Sequence, residues 1–122
     1  MRALAGRILR AYKSHRSPEG ALFGSYCRAK IARYDKLPKD ALVILREAGR
    51  CVVEIDWLGR ELDAATHNRK LTMARRLRRE LRNARFILEK LELRFEKLAG
   101  TATDATDLAK EIQRELERES QL

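Results

Sequence analysis

A chain of 122 residues and 14.1 kDa is too short for an enzyme barrel or a doubly wound sheet, and two prolines and six glycines leave few turns. Charged residues make up 37% and aromatics 6%, beside 44% hydrophobics, a mixture that points to long amphipathic helices rather than a sandwich or barrel. The net charge of +9 and pI near 10.1 make a polyanion the first partner to consider.

The charge is blocked. Residues 1–36 carry nine Lys/Arg against two Asp/Glu, net +7, and residues 67–100 carry eleven against four, again net +7. The stretches between and after them are mildly acidic, 37–66 at net −2 and 101–122 at net −3. Blocks of this kind read as footprints rather than general solubility. The bland alternative is genome bias, since 19 of the 27 basic residues are Arg.

In chain order, a first helical pattern runs from about Ala3 to Ser14 with Leu4, Ile8 and Tyr12 on one side. Ser17-Pro18-Glu19 is a helix start: a capping Ser, Pro at the first helical position and an acid in the first turn. The second helix carries Leu22, Phe23, Tyr26 and Ala29 and fades near Asp35. The basic set Arg7, Arg10, Lys13 and Arg16, with Arg28, Lys30 and Arg33 beyond it, makes residues 1–36 a possible DNA-binding unit resembling a degenerate helix-turn-helix.

Leu37-Pro38-Lys39-Asp40 opens the next helix, because the residue before proline resists helical geometry. Ala41, Ile44, Ala48, Cys51, Ile55, Leu58, Leu62 and Ala65 then recur at threes and fours. After polar His67-Asn68-Arg69-Lys70 the seam resumes as Ala74, Leu77, Leu81, Ala84, Leu88, Leu91, Phe95 and Leu98. Two matched seams predict a long antiparallel, coiled-coil-like hairpin over residues 37–99. Gly100 to Thr106 reads as a breaker and linker to a short C-terminal helix with Leu108, Ile112 and Leu116, a stripe suited to partner docking in residues 100–122. The fold class is therefore all-α.

Val53, Trp57, Phe86, Ile87 and Leu93 fall off the seams, so a second surface needs cover. The N-terminal helices are one candidate cover. Lateral association into a homo-oligomer is the other, with Trp57 as an anchor.

Chemistry is thin. His15 and His67 have no second ligand at helical spacing, so no metal or other cofactor is expected. Cys27 and Cys51 read as small core residues, and no phosphate loop, nucleophile elbow or paired-acid site is present. The reading is of a non-enzyme. No apolar run approaches a membrane span and Arg7 and Arg10 interrupt any leader-like segment, so a soluble cytoplasmic protein is expected.

The strongest feature is the run Arg69, Lys70, Arg75, Arg76, Arg78, Arg79, Arg82 and Arg85, with Glu80 its only acid. On a helix Arg75, Arg78, Arg82 and Arg85 form one stripe suited to a phosphate backbone, read with little sequence preference. The alternative is that these arginines pair with Glu54, Asp56, Glu61 and Asp63 across the hairpin. Glu89, Glu92 and Glu96 alternate with Lys90, Arg94 and Lys97 and read as surface ion pairs.

Basic N-terminal helices, the segment from Leu45-Arg46-Glu47-Ala48-Gly49-Arg50 through Leu62, the segment from Arg76-Leu77-Arg78-Arg79-Glu80-Leu81 through Leu98, and a thin helical tail together resemble the small terminase subunits of tailed double-stranded-DNA phages. The resemblance implies hairpins packed side by side into a ring that binds double-stranded DNA for packaging. It also implies docking of the large terminase subunit, which carries the ATPase and nuclease, near the C-terminal end. Two other classes fit the residues: a small helical subunit of a nucleoprotein complex of the CRISPR-effector type, and a structural helical-hairpin adaptor.

Overall fold

A computed structural model describes residues 17–120, with the side chains of 101–112 left aside. It contains α1 (Pro18–Ile31), α2 (Lys39–His67) and α3 (Leu71–Ser120), and no strand among the described residues. The first predicted helix, with Arg7, Arg10, Lys13 and Arg16, lies outside the described residues.

Local signals set the boundaries. The Gly20 N–H donates to Ser17 Oγ at 3.1 Å and Pro18 follows at the first position, so α1 starts capped. Pro38 holds extended backbone (φ −66°, ψ 155°) and α2 begins at the next residue. Between α2 and α3 the chain turns in three residues. The Lys70 N–H reaches the Ala65 carbonyl at 2.9 Å and the Arg69 N–H reaches Thr66 at 3.1 Å, the paired bonds of a Schellman cap. Arg69 takes the left-handed position, φ 57°, where glycine is usual.

The turn sends α3 back along α2. Cys51, Leu58 and Ala65 pack against Ala74, Leu77, Leu81 and Ala84, with Ile55, Leu62, Leu88 and Leu91 flanking. The pairing descends as an antiparallel pair requires: the Cys51 thiol donates to the Ala84 carbonyl at 3.2 Å. Alanines at Ala65, Ala74 and Ala84 let the backbones approach closely.

A second cluster closes the other end. Phe23 and Cys27 of α1 and Leu37 pack with Ala41, Leu42, Leu45 and Val53 of α2 and with Phe95 and Ala99 of α3. Tyr34, in the connection after α1, meets Phe95 edge-on at 5.7 Å and 87°. Val53 belongs to this cluster at 8% exposure. That corrects the expectation of Val53 on the open back face: α1 supplies the intramolecular cover there.

The second correction concerns the tail. No linker separates a C-terminal helix, because α3 continues unbroken through Gly100 to Ser120. Gly in a helix interior costs only about 1 kcal/mol and the Thr and Asp that follow cost less. No proline stops the chain. No described helix is long and apolar enough to cross a membrane.

Candidate nucleic-acid interface

The hairpin tip carries the basic run on a rigid frame. Arg75, Arg78, Arg79, Arg82 and Arg85 are all exposed on α3, while Ala74, Leu77, Leu81 and Ala84 between them are buried in the seam. Seam residues anchor the helix and the intervening positions project guanidinium groups at neighbouring turns, about 5–6 Å apart. Arg69 and Lys70 add two exposed cations in the turn, beside an α3 first turn that holds no acid.

These cations are not spent on the hairpin. Among the described residues no acid lies within ion-pair distance of Arg69, Lys70, Arg75, Arg78, Arg79, Arg82 or Arg85. The alternative of pairing across to α2 is thus not what the side chains do. Asp56 pairs within α2 to Arg60 at 3.1 Å, and Glu54, Glu61 and Asp63 make no ion pair with a described residue. Within the run only Arg76 is engaged, with Glu80 at 3.7 Å.

Past Arg85 the same spacing of threes and fours reaches Glu89, Glu92 and Glu96. These acids do not form the expected pairs with Lys90 and Arg94. Glu92 instead binds Lys30 of α1 at 2.9 Å, and Lys90 lies over the Phe86 ring at 4.5 Å. Lys30 is thereby withdrawn from the basic block, whereas Arg28 and Arg33 stay exposed.

Trp57, Phe86, Ile87 and Leu93 are each more than half exposed, Trp57 at 51% and Phe86 at 57%. Met73 and Leu71 near the tip are exposed as well, in the first turn of α3 where the seam pattern has only begun. Burial, partly offset by Arg28, pushes the Cys27 thiol up to about 12. Burial and then the Glu54 charge raise that of Cys51. Such thiols stay protonated and behave as packing groups. No group of metal-ligating side chains occurs among the described residues.

No protein-family model matches this chain, and no curated protein or solved structure matches it.

Proposed function

We propose that this chain is a non-enzymatic nucleic-acid-binding protein of the small terminase type, an oligomer that grips double-stranded DNA by its phosphates and presents it to a packaging motor. One observation carries the reading: the exposed row Arg75, Arg78, Arg82 and Arg85 has no acid within ion-pair distance among the described residues. A row of unpaired guanidinium groups on a packed helix is preorganised for a backbone and carries no base code. The strained backbone at Arg69 adds support, since a cation is kept where glycine would cost less. The exposed Trp57, Phe86, Ile87 and Leu93 are the surfaces through which copies would associate, and the free end of α3 is where a large subunit would dock.

The test is fluorescence anisotropy with a labelled 30-base-pair duplex between 50 and 200 mM salt. Each phosphate contact contributes about −0.9 to the slope of log affinity against log salt. Arg75, Arg78, Arg82 and Arg85 changed together to Gln should flatten that slope by about 3–4. Salt-insensitive or absent binding by the wild-type chain would leave the adaptor reading standing. A strong preference for RNA or single strands would move the assignment to a nucleoprotein-complex subunit.

A further inference from the structure

Seven charged residues follow one row on α3: Arg75, Arg78, Arg82 and Arg85, then Glu89, Glu92 and Glu96. The row spans roughly 32 Å and changes sign at its midpoint. Lys90, Arg94 and Lys97 lie one or two positions away from the acids, which on a helix puts them on other faces. Glu89 and Glu96 are exposed and have no cation within ion-pair distance among the described residues, and only Glu92 is paired, to Lys30. Phe86 and Leu93, 57% and 54% exposed, border the row. Where the two halves meet, a groove of about 360 Å³ is lined by Arg85, Leu88, Glu89, Glu92, Leu93 and Glu96.

A polyanion satisfies only the arginine half of such a row. An acidic or a basic partner likewise meets one half and is repelled by the other. A bipolar row laid against its own reverse satisfies both, and each contact then occurs twice about a two-fold axis.

We propose that a second copy of this chain docks antiparallel along this row, with the two-fold axis passing beside Phe86. In that register Arg82 faces the second copy's Glu89 and Arg75 faces its Glu96. The two Phe86 rings meet on the axis, flanked by Leu93. A parallel alignment would set arginine on arginine, so the charges choose the direction as well as the partner. This two-fold pairing goes beyond the function proposed above: it is a different contact from the side-by-side packing of a ring, and it rests on none of the nucleic-acid reading. It also sets a competition, because DNA phosphates and the second copy claim Arg75 and Arg82 alike.

Sedimentation velocity on the full chain tests the proposal with two double variants. Arg75→Glu with Arg82→Glu sets acid on acid at both facing pairs, and Glu89→Arg with Glu96→Arg sets arginine on arginine there. The wild type is expected to dimerise, at least tenfold more weakly at 500 than at 50 mM salt. Each variant alone is expected to sediment as a monomer at concentrations where the wild type pairs. Mixed in equal amounts, the two are expected to form dimers again, since every contact regains an opposite charge.

A wild type that stays monomeric would overturn the proposal. So would variants that associate as the wild type does, or a mixture that fails to pair. Phe86→Cys gives an independent readout: oxidation should trap a disulfide-linked dimer, whereas Glu61→Cys should not. Failure to trap it would displace the axis from Phe86 and refute the register. A wild type that pairs but does not bind duplex would strike the nucleic-acid reading alone, and the monomeric Glu89→Arg, Glu96→Arg variant, which keeps every arginine, should still bind duplex if that reading holds.

Discussion

The ring of Phe23 fills the space above Gly49: a Cβ placed on that glycine would fall 2.6 Å from the ring edge and 3.1 Å from the Cys27 sulfur. Thus α1 seats in a notch of α2 rather than on a ridge. Gly49→Ala is expected to lose about 1–2 kcal/mol, because overpacking outweighs the gain of about 1 kcal/mol in helix propensity. The urea midpoint should fall, and Phe23→Leu in the same chain should recover much of the loss in a double-mutant cycle. A higher midpoint for Gly49→Ala would mean that α1 does not sit there.

Arg69 holds φ 57° to complete the cap between α2 and α3. Arg69→Gly is expected to raise the unfolding free energy by about 1 kcal/mol, since glycine meets no steric penalty there. The same change removes a cation from the tip and should weaken duplex binding at low salt. Stability and affinity moving in opposite directions is the signature; a joint fall in both would contradict this account of the turn.

Alkaline pH should loosen the fold. Cys27 is raised from 9.0 to about 12. Cys51 is raised as well, and burial followed by the Glu92 charge raises the Tyr26 phenol. In each case the folded state binds its proton more tightly than the unfolded state does. Their stabilisation is complete below the ordinary thiol range and is lost as pH climbs from about 9 towards 12. The urea midpoint should hold steady from about pH 7 to 8.5 and decline above 9, with a shallower decline in Cys27→Ala. A midpoint unchanged at pH 11 would refute this.

Val53 and Trp57 stand one turn apart and should respond differently. Val53, at 8% exposure, packs beneath α1, and Val53→Ala should cost roughly 1–2 kcal/mol. Trp57, at 51%, should tolerate Trp57→Lys within about 0.5 kcal/mol. Native mass spectrometry then decides its role. Smaller assemblies for Trp57→Lys would make it an interface anchor, and an unchanged spectrum would remove it from any interface.

The caps were the most legible part of the sequence. Ser17-Pro18 and Leu37-Pro38 mark helix starts through bonding and sterics that act within a few residues, and the structure places α1 and α2 there. The α1 docking face was not legible. Leu42, Leu45, Gly49 and Val53 run beside the seam on the same helix, so two overlapping stripes blur into one, and Gly49 reads as a weak helix position rather than a socket. Gly100 misled in the opposite direction, because helix propensity is a weak prior and α3 runs on without a clash at that position. The basic run was visible as composition. That it stays unpaired needed side-chain geometry, and its continuation into Glu89, Glu92 and Glu96 was hidden by the lysines and arginine interleaved there.

Fifty residues of uninterrupted α-helix make α3 a ruler of about 75 Å. From Arg75 to Leu116 the spacing along its axis is roughly 60 Å, close to eighteen base pairs of duplex at about 3.4 Å each. A body held at Leu116 therefore stands off by that interval from anything gripped at the tip. Lengthening the helix by seven residues would move the two ends apart by about 10 Å while turning them by only about 20°.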